Sequence, residues 1–391
     1  MTYSLPNEII ECLTILKNAG IDAYLVGGCV RDMIMGLTPD DYDITTNASP
    51  EKIKSLFPHT VDTGIEHGTV TVIINHTPIE ITRMRIDGDY LDHRRPIDII
   101  PARSLNEDLL RRDFTINALA LDLQGNLTDI TRGVHDIKHK TIRAVGNPYK
   151  RFSEDALRIM RAYRFCSKLQ FNLEKSTQNA AKELAHLLSD ISAERIYDEL
   201  KKTLMGKNPA VVEELILSGG LIKAGLTNCN NLSALNELEV DINIRLSALI
   251  ILCNADAVCV TNSLKTPNII KNTVKKIVSI YSDYSSFTAI SPKQIKLMIK
   301  QSDRSIALML LKLLSVLKGI DYSELVEKFD SVKNDPIFIN ELDISGNDLI
   351  SIGINGTDIG KTQIFLQDYV INNPKDNKKT ILLSIAKNIE L

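Results

Sequence analysis

The sequence predicts an α+β protein, with a small mixed α/β domain over roughly the first 145 residues and an all-helical remainder. Two observations carry this prediction. β-Branched, alternating runs such as TVTVIIN and PIEITRMR are concentrated before residue 150, whereas beyond it the apolar residues recur at helical spacing. The breaks between the later segments are short and polar or carry glycine and proline, with no low-complexity tract and no fixed-period repeat.

In chain order, EIIECLTILKNAG has helical spacing and a glycine stop, and DAYLVGG reads as a strand running into a glycine turn. CVRDMIMG reads as a short helix. TVTVIIN and PIEITRMR read as paired strands, and FTINALALDLQGNLTDI as a further strand and turn. The later helical runs include EDALRIMRAYRFCSKL, ERIYDELKKTL, AVVEELILSGG, RLSALIILC and SIALMLLKLLSVLKG. This division gives a head over 1–145, a helical neck over 146–205, a body over 206–275 and a tail over 276–391.

The chain has 391 residues, enough for about two or three folding units. Its net charge of −3 gives no global sign of nucleic-acid binding, so any basic surface must be local. The six cysteines are scattered without a CxxC pair, which suggests buried thiols and neither a zinc site nor a disulfide frame. No secretory leader and no long apolar run is evident, so a cytoplasmic protein with no membrane partner is expected.

The strongest chemical signal is YLVGGCVRDMIMGLTPDDYDITT. Asp41 and Asp43 are two apart, so on a strand both carboxylates face the same way. Such a pair repels unless a cation sits between its members, and oxygen ligands on a rigid edge suit Mg²⁺. Glu80, on the strand-like PIEITRMR, is the candidate third carboxylate. Gly27-Gly28 at a strand end lets backbone amides approach a phosphate, with Arg31 just inside the next helix. An EF-hand fails, because Thr46 and Lys52 occupy its glycine and glutamate positions, and VGGCVRD is not a dinucleotide fingerprint. A solvated acidic turn is the bland alternative, weakened by the neighbouring glycines, Arg31 and Glu80.

RFSEDALRIMRAYRF carries the second signal. At about 100° per residue, Arg151, Glu154, Arg158 and Arg161 fall on one side of a helix, with Asp155 and Arg164 at the edges of that arc. Phe152, Ala156, Ile159, Met160 and Tyr163 form the opposite, apolar stripe. Acids and arginines so spaced ordinarily form solvated ion pairs worth a few tenths of a kcal/mol. Beside the acidic motif and Arg111-Arg112, a binding role is the stronger reading.

GG-x-VRD, DYDITT, RRDFTINALA and EDALRIMRAYRF, in that order, resemble the class II tRNA nucleotidyltransferases. These are the CCA-adding enzymes, akin to bacterial poly(A) polymerases and DNA polymerase β. ISGNDLISIGINGTDIGK is similar to the tail of the short bacterial members, which lack an HD domain. The resemblance implies a polymerase-β-like head, Mg²⁺ as cofactor held by Asp41 and Asp43, and Glu80 as the third carboxylate. It places nucleotide contacts on Gly28, Arg31, Arg112, Asp155, Arg158, Arg161 and Arg164, counts Arg112 also among the catalytic residues, and has Glu194, Arg195 and Glu199 close the neck. DITRGVHD departs from the family's usual proline-phenylalanine-glycine-glycine turn, with little consequence expected.

The resemblance implies an enzyme that adds CCA to the tRNA 3′ end from CTP and ATP. Asp155 and Arg158, one helical turn apart, then offer an acceptor and a donor. Cytosine and adenine answer both with an exocyclic amino group beside a ring nitrogen, whereas uracil and guanine answer neither. RIDGDYLDHRRPIDIIPARSLNEDL, with Asp89, Asp92, Arg94 and Arg95, resembles the family's flexible loop, held to be needed for the final adenosine. His67 reads as a structural or loop-anchoring residue, and His135-Asp136 as a turn. The body, rich in lysines such as Lys201, Lys271, Lys276 and Lys296, is expected to bind tRNA by shape and backbone charge. An A-adding enzyme, a poly(A) polymerase and a catalytically silent tRNA-binding protein are the alternatives. No protein partner is inferred.

Overall fold

The structure is a computed structural model that describes residues 3–64, 68–87, 90–91, 95–96 and 99–388. His67, Asp89, Asp92 and Arg94 lie outside the described residues, as does the side chain of Arg95. The chain divides into two compact units, residues 1–232 with 263–265, and residues 233–262 with 266–391.

The first unit is built on a mixed sheet. Helix α1 (Asn7–Asn18) buries Ile9, Cys12, Leu13 and Leu16 and is capped by Ala19, and Gly20 follows at φ +72°, as the glycine stop predicts. Strand β1 (Ala23–Val26) runs into Gly27 and helix α2 (Gly28–Ile34). Then come β2 (Asp43–Thr46), α3 (Pro50–Leu56), β3 (Thr60–Gly64), β4 (Thr69–Ile74) and β5 (Thr77–Arg83). Strands β4 and β5 form the expected hairpin, closed by Asn75 and His76, both left-handed at φ 48° and 66°.

Short strands β6 (Arg85–Asp87) and β9 (Ile99–Pro101) pair with each other, as do β7 (Tyr90–Leu91) and β8 (Arg95–Pro96). After α4 (Leu105–Leu110) and a 3₁₀ turn over Thr115–Asn117, strands β10 (Ala120–Leu121) and β11 (Leu127–Thr128) complete the main sheet in the order β11-β10-β1-β2-β5-β4-β3. Leu25, Ile44, Val70, Val72, Ile79, Ile81 and Leu121 are fully or almost fully buried in it. The register sets the acidic residues side by side. Val26 faces Asp43 across an antiparallel pair, and Asp43 faces Glu80 across a parallel one.

Helix α5 (Gly133–Lys138) carries His135-Asp136, which is therefore helical, unlike the turn expected. Asp136 accepts from Thr115 Oγ1 at 2.6 Å and from Arg143 Nε at 3.1 Å, so its work is structural. Gly133 is required there, because a Cβ would lie 2.1 Å from the Thr115 carbonyl oxygen.

The helix expected over EDALRIMRAYRF is instead two helices. Past β12 (Thr141–Ile142), helix α6 (Pro148–Glu154) is capped by the Asn147 side chain and ends at Asp155, whose backbone is extended at φ −137°, ψ 103°. Helix α7 (Leu157–Leu169) then begins. The Asp155 carboxylate accepts from Leu157 N at 3.1 Å, a local side-chain bond that competes with helix continuation. The apolar stripe holds across the break: Phe152, Ala156, Ile159 and Met160 are fully buried. Strand β13 (Asn172–Leu173), α8 (Lys175–Glu183), α9 (Ala193–Leu204) and α10 (Val212–Leu217) complete this helical part, with α9 against α7.

The second unit is helical, as expected. It contains α11 (Ile242–Leu252), most of α12 (Ala257–Ser263), α13 (Asn268–Tyr284), α14 (Pro292–Gln301), α15 (Arg304–Lys318) and α16 (Tyr322–Val332). Helices α17 (Gly346–Ser351), α18 (Thr357–Asn372) and α19 (Lys379–Lys387) close on a cluster of Leu342, Leu349, Leu366, Val370 and Leu382. Lys296 is buried, donating to the Ile371 carbonyl at 3.0 Å and pairing with Asp335 at 2.6 Å, so it leaves the set of lysines available to RNA. Among the described residues no single helix is long and apolar enough to cross a membrane.

Candidate active site

The strand register brings the acidic and glycine motifs to one place. Gly27 leaves β1 at φ +84°, beside the first residue of β2. A Cβ at Gly27 would lie 3.0 Å from Arg112 Nη1 and 3.6 Å from Asp43 Oδ2, so glycine lets both side chains close on the backbone. A cleft of about 1070 Å³ opens here. Gly28, Arg31, Asp41, Asp43, Arg112, Asp155, Arg158, Arg161 and Arg164 all line it. Of the expected site residues, Glu80 alone is outside that lining. It is exposed, next to Asp43 in the sheet.

The electrostatics suit a bound cation. Burial, then the Asp41 and Glu80 charges, push the Asp43 carboxyl up to about 6, against a smaller opposing pull from Arg112. Two carboxylates that repel each other are oxygen donors of the kind a hard divalent ion prefers. Among the described residues no group of three or more His, Cys, Asp or Glu side chains is gathered to hold a metal ion, and Asp41 and Asp43 are the carboxylate pair of the expected site that lines the cleft.

Each of these arginines has a carboxylate partner. Asp108, fully buried, takes Arg111 Nε at 2.9 Å and Arg112 Nη2 at 3.1 Å. Arg158 Nη1 donates to Glu154 Oε2 at 2.8 Å and to the Arg151 carbonyl at 3.1 Å, while Arg151 Nη1 shares the same Glu154 oxygen at 2.8 Å. Arg161 is paired to Asp113 through Nε at 2.8 Å. Burial acts to raise the Asp113 carboxyl, but the Arg161 charge and hydrogen bonds from Arg161, Asn117 and Phe114 outweigh it and hold the group at about 2. Arg164 Nε meets Glu199 Oε2 of α9 at 3.2 Å. Its guanidinium carbon stands 4.5 Å from the centre of the Phe165 ring.

Asp155 is different. Burial raises its carboxyl, only partly offset by Arg195, Arg158 and Arg161. Arg195 Nη2 stands 3.7 Å from its Oδ2, beyond a hydrogen bond. Asp155 is thus a half-buried acceptor that lines the cleft. Sequence reasoning assigned no role to Asp108, Asp113 or Asn117. Their signal lay in the register of EDLLRRDFTIN, which helix and strand patterns do not expose.

Residues 23–143 match the poly A polymerase head domain family, and residues 170–224 match the family described as "Probable RNA and SrmB-binding site of polymerase A". The crystal structure of the Bacillus stearothermophilus CCA-adding enzyme in complex with CTP is similar over 97% of this chain and 96% of that one, with a TM-score of 0.82 and 30% identity. The chain belongs to the CCA-adding enzyme family. The CCA-adding enzyme of Ligilactobacillus salivarius is 52% identical over 209 residues, and that of Enterococcus faecalis is 50% identical over 208. These alignments cover 53% and 52% of this chain and span about half the length of each relative, 52% and 51%. The Thermotoga maritima CCA-adding enzyme complexed with tRNA(CCA) shares the fold, with a TM-score of 0.73 at 20% identity over 99% of this chain and 97% of that one.

Proposed function

We propose that this chain adds CCA to the 3′ end of tRNA, taking CTP and ATP and choosing between bases without a nucleic-acid template. The observation that carries the reading is one cleft lined both by the Asp41–Asp43 pair and by the Asp155–Arg158 pair. Asp41 and Asp43 would hold Mg²⁺, which when bound lowers the pKa of the primer hydroxyl and neutralises the departing pyrophosphate. Glu80, beside Asp43 in the sheet, supports that end of the site. Gly28 and the Arg31 guanidinium face the phosphates, and Arg112, held by Asp108, supplies further positive charge there.

Asp155 accepts from the exocyclic amino group of cytosine or adenine, and Arg158 donates to the adjacent ring nitrogen. Uracil or guanine would set an acceptor against the carboxylate and a donor against the guanidinium, costing about 1–3 kcal/mol for each unpaired group. The anchoring of Arg158 by Glu154 and the Arg151 carbonyl fixes the donor's position. Arg161, paired with Asp113, and Arg164, beside Glu199, hold this side of the cleft in shape. The head, neck, body and tail division at 145, 205 and 275 belongs to this reading, with tRNA bound by the helical body and tail. Its tRNA and nucleotide substrates put the work in the cytoplasm.

Two variants test the division of labour. Asp41→Ala is expected to abolish transfer with every nucleotide, whereas Asp155→Ala retains transfer and loses the preference for CTP and ATP over UTP and GTP. Equal effects of both variants on base preference would refute it. Absence of any pyrophosphate release by the unaltered chain would favour the silent tRNA-binding reading.

A further inference from the structure

Asn117 ends the 3₁₀ turn over Thr115–Asn117 and is 7% exposed, and the chemistry above gives it no part. Its amide stands between a group that can only donate and one that can only accept. Arg31 Nη1 donates to Asn117 Oδ1 at 2.7 Å, and Asn117 Nδ2 donates to Asp113 Oδ1 at 3.2 Å. Rotating the amide by half a turn would set its NH₂ against the guanidinium and its oxygen against the carboxylate, so the orientation is fixed by its neighbours. From Asp113 the connection continues through Oδ2 to Arg161 Nε at 2.8 Å. Arg31 is braced on its other side by Asp32, with Nε to Oδ1 at 2.8 Å.

Both terminal guanidiniums also lie against one ring. The Cζ atoms of Arg31 and Arg161 are 5.4 Å and 5.7 Å from the centre of Phe165. Arg31, Asn117, Asp113, Arg161 and Phe165 therefore form a closed circuit that ties α2 to α7 around the cleft. Two like charges sharing a ring repel, and the amide and carboxylate between them set their separation.

We propose that Asn117 is a positioning residue for nucleotide selection, coupling Arg31 on the glycine-loop side to Arg161 on the base-selecting helix. The inference rests on the nucleotide-transfer reading above. An amide is the group the gap requires. A carboxylate there would oppose Asp113, and an alkyl group would leave Arg31 and Asp113 each short of a partner.

The test measures binding of CTP and UTP to the full chain with Mg²⁺ by calorimetry, and transfer to a tRNA transcript in parallel. The proteins are the unaltered chain, Asn117→Asp, Asn117→Ser, Arg161→Ala and the Asn117→Ser/Arg161→Ala double variant. Asn117→Asp and Asn117→Ser are expected to reduce the preference for CTP over UTP by about tenfold, the effect of a lost buried hydrogen bond, with KM for tRNA unchanged. Asn117→Ser is expected to add little to Arg161→Ala, because both act through one circuit. Unchanged preference in a folded variant, independent additive losses in the double variant, or loss of the circular dichroism of the fold in both single Asn117 variants would overturn the proposal. Selective CTP binding by an unaltered chain that transfers nothing would refute the transfer reading and leave the circuit to be judged on binding alone. An unaltered chain with no CTP preference would overturn the circuit itself.

Discussion

Asp113 shows how a single side chain fixes an arginine that sequence alone leaves ambiguous. Read on a helical wheel, Arg161 could be a solvated ion-pair partner of any acid one turn away. Its acid is instead Asp113, 48 residues earlier, reached only because the RRDF segment folds against α7. Asp113 carries a testable consequence. Its carboxyl is held at about 2, below its unfolded value of about 4, so its stabilisation is fully present above about pH 4 and is lost as pH falls towards 2. The depression corresponds to about 2 kcal/mol. Urea unfolding at a series of pH values is expected to show Asp113→Asn less stable than the unaltered chain near pH 6, with the gap closing as pH falls towards 2. A gap independent of pH would show that the carboxylate charge is not what stabilises. Asp41, Asp43 and the glycines were legible as residues from their clustering, although only Asp43 lies on β2 and Asp41 sits in the bend before it, so the expected shared strand face does not hold.

At the scale of elements, the β4–β5 hairpin and α1 follow from alternation and helical spacing. The break at Asp155 does not. Residues on both sides of it keep one buried stripe, so the periodicity runs through, and only the capping bond from Leu157 N to the aspartate marks the interruption. An Asp ahead of an apolar helical run was the available clue. The consequence is chemical, since Asp155 presents its carboxylate from an extended residue, not from a helical face. The packing of α5 on the Thr115–Asn117 turn is tested by Gly133→Ala. That substitution forces a Cβ to 2.1 Å from the Thr115 oxygen and is expected to cost about 1–3 kcal/mol of stability. Gly360→Ala, at a helical glycine with nothing within 4 Å of the added Cβ, is the control and is expected to be neutral or stabilising. Equal urea midpoints for the two variants would remove the steric argument.

For the whole molecule, a net charge of −3 means that a polyanion must be bound by local positive surface against an unfavourable overall sign. The lysine count in the helical unit overstated that surface, because Lys296 is buried against Asp335 and Lys300 is paired with Asp368. Such pairings depend on which helices meet, which spacing along one helix cannot reveal. Affinity for tRNA is expected to fall at least tenfold between about 50 and 200 mM salt, measured by filter binding, as phosphate contacts release counterions. A flat response would contradict a backbone-charge mode of binding.

Template-free choice of C, C and then A is tested with three tRNA transcripts ending before CCA, after the first C and after CC. Each is incubated with Mg²⁺ and CTP, ATP or both, and the products are sized to one nucleotide. Growth by C, C and A to a common end is expected, with CTP alone stopping at CC and ATP alone extending only the CC-ending transcript. Addition of A without C, or continued addition of A past that end, would contradict it.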